Sequence, residues 1–463
     1  MSQKLVAGVD SSTQSVKIVV RDAVTGELVR EGRGTHPDAT EISPNKWLSE
    51  LTSSSNGLLD DVAAISIGAQ QHGMVVVDDN KQVVRDALLW NDTRSADAAT
   101  DLIKELGGPD KWAQAVGSVP VAAFTVSKLR WLAKNEPANA AKVTGVMLPH
   151  DWLTWQLMGT PDEFVTDRGD ASGTGYWSAQ TNEYRKDLLK LALGKEVQLP
   201  RVASPNEIIG QTTTGIAVAP GTGDNMAAAL GLGATTGDIV ISLGTSGTAY
   251  TVSNNPTNDA SGVIAGFADA TGKYLPLACT LNAARVINAG AAVLNVSLDQ
   301  FAELALSAKP GSEGIVLLPY LDGERTPNLP NAKGSLHGLT RSNMTPANFA
   351  RACIEGMLCS LAEASDVITN FGKGTKPNRV VLIGGAAASK AVQEIAATLF
   401  NVPVHIPPAA EYVADGAARQ AAWALSGELN PPIWDLKGSV VKQVNFQESI
   451  RKAYREAFQR SFA

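Results

Sequence analysis

The sequence has little cysteine and histidine and no long apolar runs, and each shortage excludes a class of protein. Three cysteines in 463 residues, Cys279, Cys353 and Cys359, form no CxxC pair, so we expect neither a disulfide framework nor a zinc site. The five histidines are far apart, which excludes a short metal-binding motif such as HExxH. No stretch approaches the roughly 18–20 uncharged apolar residues of a membrane span. The net charge of −7 gives no global basic field, so nucleic acid is not an expected partner.

What is present indicates a globular enzyme. Hydrophobic residues make up 44% of the chain and charged residues 18%, a composition that disordered proteins do not have. Asp10 comes too early for the apolar core of a signal peptide, and we therefore expect a soluble, cytoplasmic protein. The 42 glycines are clustered, and the clusters carry most of the functional signal.

Short apolar strands alternate with longer helical patterns, which predicts an α/β fold. A strand, a polar loop and a second strand occupy residues 5–20, and the same pattern returns at 239–252. Either the chain consists of two related halves, or these are two ordinary hairpins in one large α/β protein. With a boundary near 235–238, the predicted domains are 1–236 and 237–428, followed by a linker and helix at 429–463.

Three loops carry residues suited to phosphate binding. The first is Asp10–Ser15 with Lys17 beyond it, and the second is Gly244–Gly247. The third, Gly384–Ser389, lies between a predicted strand and a predicted helix. Small residues, hydroxyls and exposed N–H groups are the donors that a polyphosphate needs. A polar hairpin turn is the alternative for the first loop, and each loop alone is a weak signal.

Two further motifs place polar residues next to glycine. Asp224 and Asn225 follow a glycine-rich turn and precede an alanine-rich helix, so Asp224 is either a reactive acid or a helix cap. Gln71 and His72 lie in a polar break between two predicted strands, where sheets usually present ligands, although the pattern around His72 alone favours a structural histidine. The sequence has neither GxxxxGK[ST] nor a GxGxxG motif after its first strand, which disfavours a P-loop or a dinucleotide-binding fold.

Taken together, the ordered motifs resemble the FGGY carbohydrate kinases of the actin, hexokinase and heat-shock-70 ATPase superfamily. The resemblance runs over nearly the whole chain, and its motifs are Asp10–Ser15, GTGDNMAAA at 221–229, Ile241–Gly247, PYLDGERTPN at 319–328, GGAAAS at 384–389 and ADGAARQAA at 414–422. Within the family, the segments at 70–74 and 89–94 and the pair Asp224-Asn225 look like those of xylulokinases.

The resemblance implies two actin-like (ribonuclease H-like) ATPase domains with an interdomain cleft that holds ATP and Mg²⁺. It implies phosphorylation of D-xylulose to D-xylulose 5-phosphate, with Asp224 as general base. The other roles that it implies are sugar contacts for Gln71, His72 and Asn225, a magnesium-linked acid at Asp10 (through water), phosphate contacts for Thr13, Gln14, Ser15, Lys17, Gly244 and Thr245, and nucleoside contacts for Gly385 and Ala386.

Ser12 and Ala386 depart from the glycines that many relatives have, which leaves the nucleotide preference open. The alternatives in function are a kinase for another pentulose or a polyol, such as L-ribulose or glycerol, and a non-catalytic sugar or ATP sensor. A homodimer is expected only by analogy with relatives.

Overall fold

The computed structural model describes residues 4–371 and 376–462. The strands are β1 (Leu5–Ser11), β2 (Ser15–Asp22), β3 (Leu28–Thr35), β4 (Glu41–Ile42), β5 (Val62–Ala69), β6 (Val75–Val77), β7 (Ala87–Leu88), β8 (Gly145–Met147), β9 (Val165–Thr166), β10 (Trp177–Ser178), β11 (Glu183–Tyr184), β12 (Arg201–Val202), β13 (Gly210–Gln211), β14 (Ala217–Val218), β15 (Thr222–Gly223), β16 (Asp238–Leu243), β17 (Gly247–Thr251), β18 (Ala265–Ala268), β19 (Tyr274–Thr280), β20 (Val316–Leu318), β21 (Ser335–His337), β22 (Arg379–Ile383), β23 (Val404–Ile406) and β24 (Val440–Lys442).

The helices are α1 (Pro44–Ser54), α2 (Ala96–Leu106), α3 (Pro109–Val116), α4 (Thr125–Asn135), α5 (Pro137–Lys142), α6 (Pro149–Leu157), α7 (Arg168–Ala171), α8 (Lys186–Leu193), α9 (Asp224–Gly231), α10 (Ala284–Leu294), α11 (Leu298–Ser307), α12 (Pro346–Phe371), α13 (Lys390–Leu399), α14 (Tyr412–Ser426) and α15 (Glu448–Phe462). Short 3₁₀ turns occupy Ser312–Gly314 and Gly385–Ala388. Within the described residues, no helix combines the length and the apolar character needed to cross a membrane.

Many helix ends follow from the local sequence. Helices α1, α3, α5, α6 and α12 start at a proline, whose fixed φ suits the first helical position and whose missing N–H group costs nothing there. Helices α2, α3, α8 and α14 end at a glycine in the left-handed conformation. Thr345 followed by Pro346 predicts a helix that starts at Pro346, and α12 starts there.

The chain forms two compact units, each assembled from three segments. The first contains Met1–Ala234, Asn254–Leu275 and Ala410–Asp435, and the second contains Thr235–Ser253, Pro276–Ala409 and Leu436–Ala463. The predicted domains were contiguous, so the structure differs in assigning 254–275 and 410–435 to the first unit. For 410–435 the physical reason is α14, which packs on α9, β1 and β5.

The first unit is built on a sheet with the strand order β13-β14-β5-β1-β2-β3, in which β15 also pairs with β5. Strands β1 and β2 form an antiparallel hairpin, and β5 runs parallel to β1. Strands β14 and β15 both run parallel to β5. The carboxyl ends of β1, β5 and β15 therefore lie at the same edge of this sheet.

The second unit repeats this arrangement of strands in its own sheet. Strands β16 and β17 form an antiparallel hairpin, and β22 runs parallel to β16. Strand β19 extends the sheet beyond β17, and β23 and β24 extend it beyond β22. Each unit thus has a hairpin whose first strand pairs with a parallel neighbour, which favours the alternative of two related halves.

The sheet of the first unit buries both of its faces. One face carries Leu5, Ala7 and Val9 and packs into the larger apolar core with residues of α1 and α6. The other face carries Val6 and Val19, which pack against Ala414, Ala418, Ala421 and Ala422 of α14. On this second face α14 comes so close that a Cβ on Gly8 would lie 1.9 Å from the Ala414 carbonyl oxygen. Asp10, two residues along β1, lies on the same face as Gly8.

Apolar residues spaced by three and four between 350 and 361 predict one amphipathic helix, and α12 is that helix. The stripe is buried throughout and consists of Ala350, Cys353, Ile354, Met357, Leu358 and Leu361. Cys353 and Cys359 are free and buried, and burial raises the pKa of Cys353 to about 12. Both thiols therefore behave as core packing groups.

Candidate active site

Three strand ends bring the predicted acidic and amide residues of the first unit to one edge of its sheet. Asp10 lies beside Gly68 in the register of β1 and β5, and Gly223 lies beside Ala69 in the register of β15 and β5. Gln71 follows β5 by two residues and Asp224 follows β15 directly. Ligands in α/β sheets bind beyond the carboxyl ends of parallel strands, which is where these side chains lie.

Asp10 is buried, with 4% of its surface exposed. Its Oδ2 lies 3.5 Å from Nζ of Lys17, the residue opposite it in the β1–β2 hairpin. Its Oδ1 is buried and has no hydrogen-bond partner in the described part of the chain. Burial raises the pKa of Asp10 to about 6, and the charge of Lys17 opposes that rise. Lys17 also pairs with Glu411 of the first unit, with 2.6 Å between Nζ and Oε2.

The predicted first phosphate loop is a tight turn that its own polar groups stabilise. Ser12 donates from its N–H group and its hydroxyl to the Ser15 carbonyl oxygen, at 2.9 and 2.8 Å. The Thr13 hydroxyl accepts from the Trp90 indole N–H at 2.9 Å. Gln14 is exposed and Ser15 is buried. The loop thus exposes Gln14, whereas Thr13 is half-buried. The Ser15 hydroxyl lies 3.2 Å from that of Ser12.

His72 is held in a fixed orientation by backbone and aromatic contacts. Its φ of 68° lies in the left-handed region that non-glycine residues seldom adopt. Its Nδ1 lies 2.7 Å from the Gly173 carbonyl oxygen, which can only accept, so Nδ1 carries a proton. The ring stacks on Phe124 with 4.8 Å between centroids. This degree of constraint on a half-buried histidine is typical of a binding site.

Asp224 is the first residue of α9, and the cap position belongs to Gly223. The alternative that Asp224 serves as the helix cap is therefore wrong. Its Oδ1 accepts from the N–H group and the Nδ2 amide of Asn225 at 2.8 and 2.9 Å. In the described residues no hydrogen bond reaches its Oδ2, and the side chain is half-buried. The same Asn225 amide donates to Oε1 of Gln71 at 3.1 Å, so Gln71, Asn225 and Asp224 form one chain of contacts.

The electrostatic environment makes the Asp224 carboxylate more basic than an ordinary one. Burial, and after it the negative charge of Asp10, raise the pKa of Asp224 to about 7. The hydrogen bonds from Asn225 oppose this rise, because they favour the ionised form. A carboxylate with a pKa near neutrality and one unpaired oxygen is suited to accept a proton.

The second unit carries the other two predicted loops. Gly244 and Thr245 connect β16 to β17, and their carbonyl oxygens accept from Ala284 and Ala283 at 2.9 and 3.4 Å, next to the start of α10. The Thr245 side chain is exposed.

The loop after β22 differs from the sequence prediction in containing a 3₁₀ turn. That turn is Gly385–Ala388, where the sequence indicates an irregular loop. Gly384 precedes it with a φ of 90°, and a Cβ on Gly384 would lie 2.8 Å from the Leu243 backbone. Gly385 is exposed, and a Cβ added to it would meet nothing within 4 Å. Gly385 therefore borders open space, and Ala386 beside it is half-buried.

Sequence reasoning missed four residues that organise this region. Glu411 pairs with Lys17, and Trp90 donates to Thr13. Gln420 of α14 binds both backbone groups of Gly221 at 3.0 Å each. His150 is buried and contacts Asp170 at 2.7 Å. Trp90 does lie in the segment 89–94 that resembles xylulokinases, whereas Glu411 and Gln420 had no signal besides their place next to or in the ADGAARQAA motif.

Comparison with known proteins identifies the family. The model of the N-terminal domain of the FGGY family of carbohydrate kinases matches residues 5–235, and the model of the C-terminal domain matches residues 239–425. The chain belongs to the FGGY family of carbohydrate kinases. The two-domain fold of actin-like ATPase type that the sequence predicts is therefore confirmed.

FGGY kinases of known name resemble the chain over nearly its whole length. A xylulose kinase of Streptomyces coelicolor is 45% identical over 439 residues, which cover 92% of this chain and 89% of that protein. The crystal structure of a xylulose kinase from Bifidobacterium adolescentis is 44% identical with a TM-score of 0.94, covering 99% of this chain and 100% of that one. A glycerol kinase from Plasmodium falciparum, 18% identical with a TM-score of 0.88, shares the fold.

Proposed function

We propose that this FGGY kinase transfers the γ-phosphoryl group of ATP to D-xylulose and releases ADP and D-xylulose 5-phosphate. The observation that carries the proposal is the half-buried Asp224, whose Oδ2 is unpaired while its Oδ1 is held by Asn225. The 45% identity to a protein named xylulose kinase supports D-xylulose as the sugar.

Phosphoryl transfer depends mainly on alignment and charge neutralisation. In our proposal Asp224 Oδ2 hydrogen-bonds the primary hydroxyl of the sugar and aligns it on the γ-phosphorus. As the new O–P bond forms and the bond to the β-phosphate oxygen breaks, the hydroxyl proton passes to Oδ2 and later to water. The hydroxyl group of a sugar is too weak an acid to be ionised beforehand, so Asp224 accepts the proton late in the reaction. The raised pKa of Asp224 makes that late transfer more favourable.

The sugar contacts are proposed from the geometry around Asp224, and the phosphate and nucleoside contacts from the family motifs of the sequence. Gln71, His72 and Asn225 would contact sugar hydroxyls, because they adjoin Asp224 or its chain of contacts. The two hairpin loops would bind the ATP phosphates, through Thr13, Gln14, Ser15, Lys17, Gly244 and Thr245. The turn after β22 would bind the nucleoside, through Gly385 and Ala386.

The residues present also fit a magnesium ion held through water. Asp10 Oδ1 is a buried carboxylate oxygen without a partner, which a metal-bound water would satisfy. Within the described residues, no group of three or more His, Cys, Asp and Glu side chains could enclose a metal by itself. Mg²⁺ would then be bound mainly by the ATP phosphates and water, where it offsets negative charge. We also propose that the kinase acts in the cytoplasm, since it uses ATP and its buried Cys353 and Cys359 are free thiols.

A sugar panel tests the substrate. ADP release is measured with D-xylulose, L-ribulose, D-ribulose, xylitol and glycerol, and we expect the highest kcat/KM with D-xylulose. A higher kcat/KM for another sugar overturns the specificity, and the absence of release with every sugar favours the sensor alternative. Light scattering of the same sample tests the homodimer that relatives suggest.

Asp224→Asn tests the proposed base. We expect sugar-dependent turnover to fall by about 10²- to 10⁴-fold while ATP affinity stays within about twofold, because the amide keeps the shape but cannot accept the proton. The matched control is Asp110→Asn, an exposed acid in the first turn of α3, which should leave turnover unchanged. Near-normal turnover of Asp224→Asn would remove Asp224 from this role.

A further inference from the structure

Four titratable side chains of the first unit are buried together, and the proposed phosphoryl transfer uses none of them directly. They are His150, Asp151, Asp167 and Asp170. The Nδ1 of His150 lies 2.7 Å from Asp170 Oδ2, and its Nε2 lies 3.1 Å from Asp151 Oδ1. Asp167 Oδ1 is 3.9 Å from the same Nε2. Three carboxylates around one imidazole are costly to bury, so each carboxylate needs stabilising contacts of its own.

Two of the three carboxylates have clear structural roles. Asp151 Oδ2 accepts from the Leu148 N–H at 2.8 Å and so stabilises the first turn of α6. Asp167 caps α7 by accepting two backbone N–H groups, and it also accepts from the Thr222 hydroxyl at 2.7 Å. Both acids therefore stabilise local backbone.

Asp170 has no comparable structural role. Its Oδ2 contacts His150, and its Oδ1 is buried without a hydrogen bond of good geometry in the described residues. The Nε2 of Gln71 is also buried and also lacks a well-aligned partner. Asp170 Oδ1 and Gln71 Nε2 are thus a buried acceptor and a buried donor that both lack another partner in the described part of the chain. Burial raises the pKa of Asp170, and its interactions with His150 and with the Gln71 side chain oppose that rise. Asp170 is thus an acceptor directed at the Gln71 amide donor.

The oxygen of the Gln71 amide contacts Asn225, which in turn holds the proposed base. Gln71 Oε1 accepts from Asn225 Nδ2 at 3.1 Å, and the same Nδ2 lies 2.9 Å from Asp224 Oδ1. The side chain of Gln71 lies over Gly223, where a Cβ would come within 2.8 Å of its Cγ. If the amide flipped, its NH₂ group would face the NH₂ group of Asn225 and its oxygen would face a carboxylate. The contacts therefore permit one orientation of the amide.

We propose that Asp170, paired with the buried His150, is a positioning residue for sugar recognition that orients the amide of Gln71 and, through it, the amide of Asn225. The inference rests on the proposed function, since Gln71 and Asn225 are sugar contacts only in that proposal. A carboxylate is used because a charged acceptor holds an amide donor more strongly than a neutral one does. His150 supplies the positive partner that lets the carboxylate stay buried.

A double-mutant cycle tests this inference. For Asp170→Asn we expect the KM for D-xylulose to rise about tenfold and the KM for ATP to stay within about twofold, because the loss of one charged contact affects only the sugar side. In a Gln71→Ala background the same substitution should raise the sugar KM by less than about twofold further, since its target is gone. The matched control is Asp151→Asn, which should lower the melting temperature and leave both KM values near wild type.

Each outcome decides between the proposals. Additive effects in the cycle, or equal rises of both KM values, would show that Asp170 merely stabilises the fold. Either result would overturn this inference and leave the proposed function standing. If Asp170→Asn does not fold, His150→Gln provides the second variant, and an unchanged sugar KM there overturns the inference too. Wild-type protein that releases no ADP with any sugar overturns the proposed function, and the inference with it.

Discussion

Replacing Gly416 by alanine should destabilise this kinase, although the substitution improves helix propensity. Gly416 lies in α14, where a Cβ would fall 1.8 Å from the Ala227 carbonyl oxygen and 2.5 Å from its carbon. The facing residue on α9 is equally constrained, because a Cβ on Gly231 would lie 2.2 Å from the Tyr412 carbonyl oxygen. The two helices thus touch backbone to backbone, with no side chain that could rotate away.

The size of the effect follows from two opposing contributions. An ordinary contact begins near 3.4 Å, so α9 and α14 would have to separate by roughly 1.6 Å to admit the methyl group. Overpacking of this kind costs about 1–3 kcal/mol, and more when backbone must move. Alanine contributes only about 1 kcal/mol of helix propensity over glycine. We therefore expect Gly416→Ala to lower the free energy of unfolding by about 2–3 kcal/mol.

Catalysis should suffer as well, because α9 begins at Asp224 while α14 also packs on β1, which carries Asp10. A displacement of about 1 Å at a reacting group can cost up to about 10²-fold in rate. Urea unfolding followed by tryptophan fluorescence gives the stability, and ADP release gives kcat. The matched control is Gly290→Ala in α10, where the methyl group meets side chains and not backbone, with Phe301 Cζ at 2.8 Å and Cys353 Sγ at 3.0 Å, so the cost should be smaller. A Gly416→Ala protein as stable as wild type would refute this reasoning about backbone contact.

Two further predictions concern buried polar groups of the first unit. Gln420→Leu should lower the free energy of unfolding by about 3 kcal/mol and reduce kcat, because the Gly221 backbone groups and the Ser66 hydroxyl lose their buried partner. Ser66→Ala, which removes one of these contacts, should cost about a third as much, and equal costs would contradict the argument. Nearby Asp151 and the other acids raise the pKa of His150 to about 9 against the opposing effect of burial, which is the largest single contribution. The stability that protonated His150 contributes should be full below pH 6.5 and be lost as the pH rises through about 9, and urea unfolding at several pH values should show a decline that His150→Gln reduces.

The parts of the site that the sequence could predict are those with local signals. Asp10 and Lys17 lie seven residues apart in one hairpin, so the strand pattern alone places them side by side. Asp224 follows a glycine-rich turn that marks the end of a strand and the start of a helix. In both cases the relevant geometry is set within about ten residues, where turn and helix rules apply.

The parts that the sequence could not predict depend on α14. Its chain position, nearly 200 residues after Asp224, assigns it to the second half, yet it packs on the sheet of the first unit. The reason lies in backbone approach, since Gly8 of β1 and Gly416 of α14 both lack the Cβ that would keep these elements apart. A glycine in a strand or a helix is ordinarily unfavourable, and only the folded chain shows what each one accommodates.

The distribution of charge at the edge of the first sheet indicates how an anionic substrate could be bound there. Burial, and after it the negative charge of Asp10, raises the pKa of Asp224. Lys17 pairs with both Asp10 and Glu411. The side chains thus leave an excess of negative charge, in keeping with a net charge of −7 for the whole chain. Binding of ATP at the β1–β2 loop would then have to rely on hydroxyls, backbone N–H groups and a divalent cation. The same cation would weaken the repulsion between the two acids, so the affinity for ATP and the basicity of Asp224 should both depend on the metal.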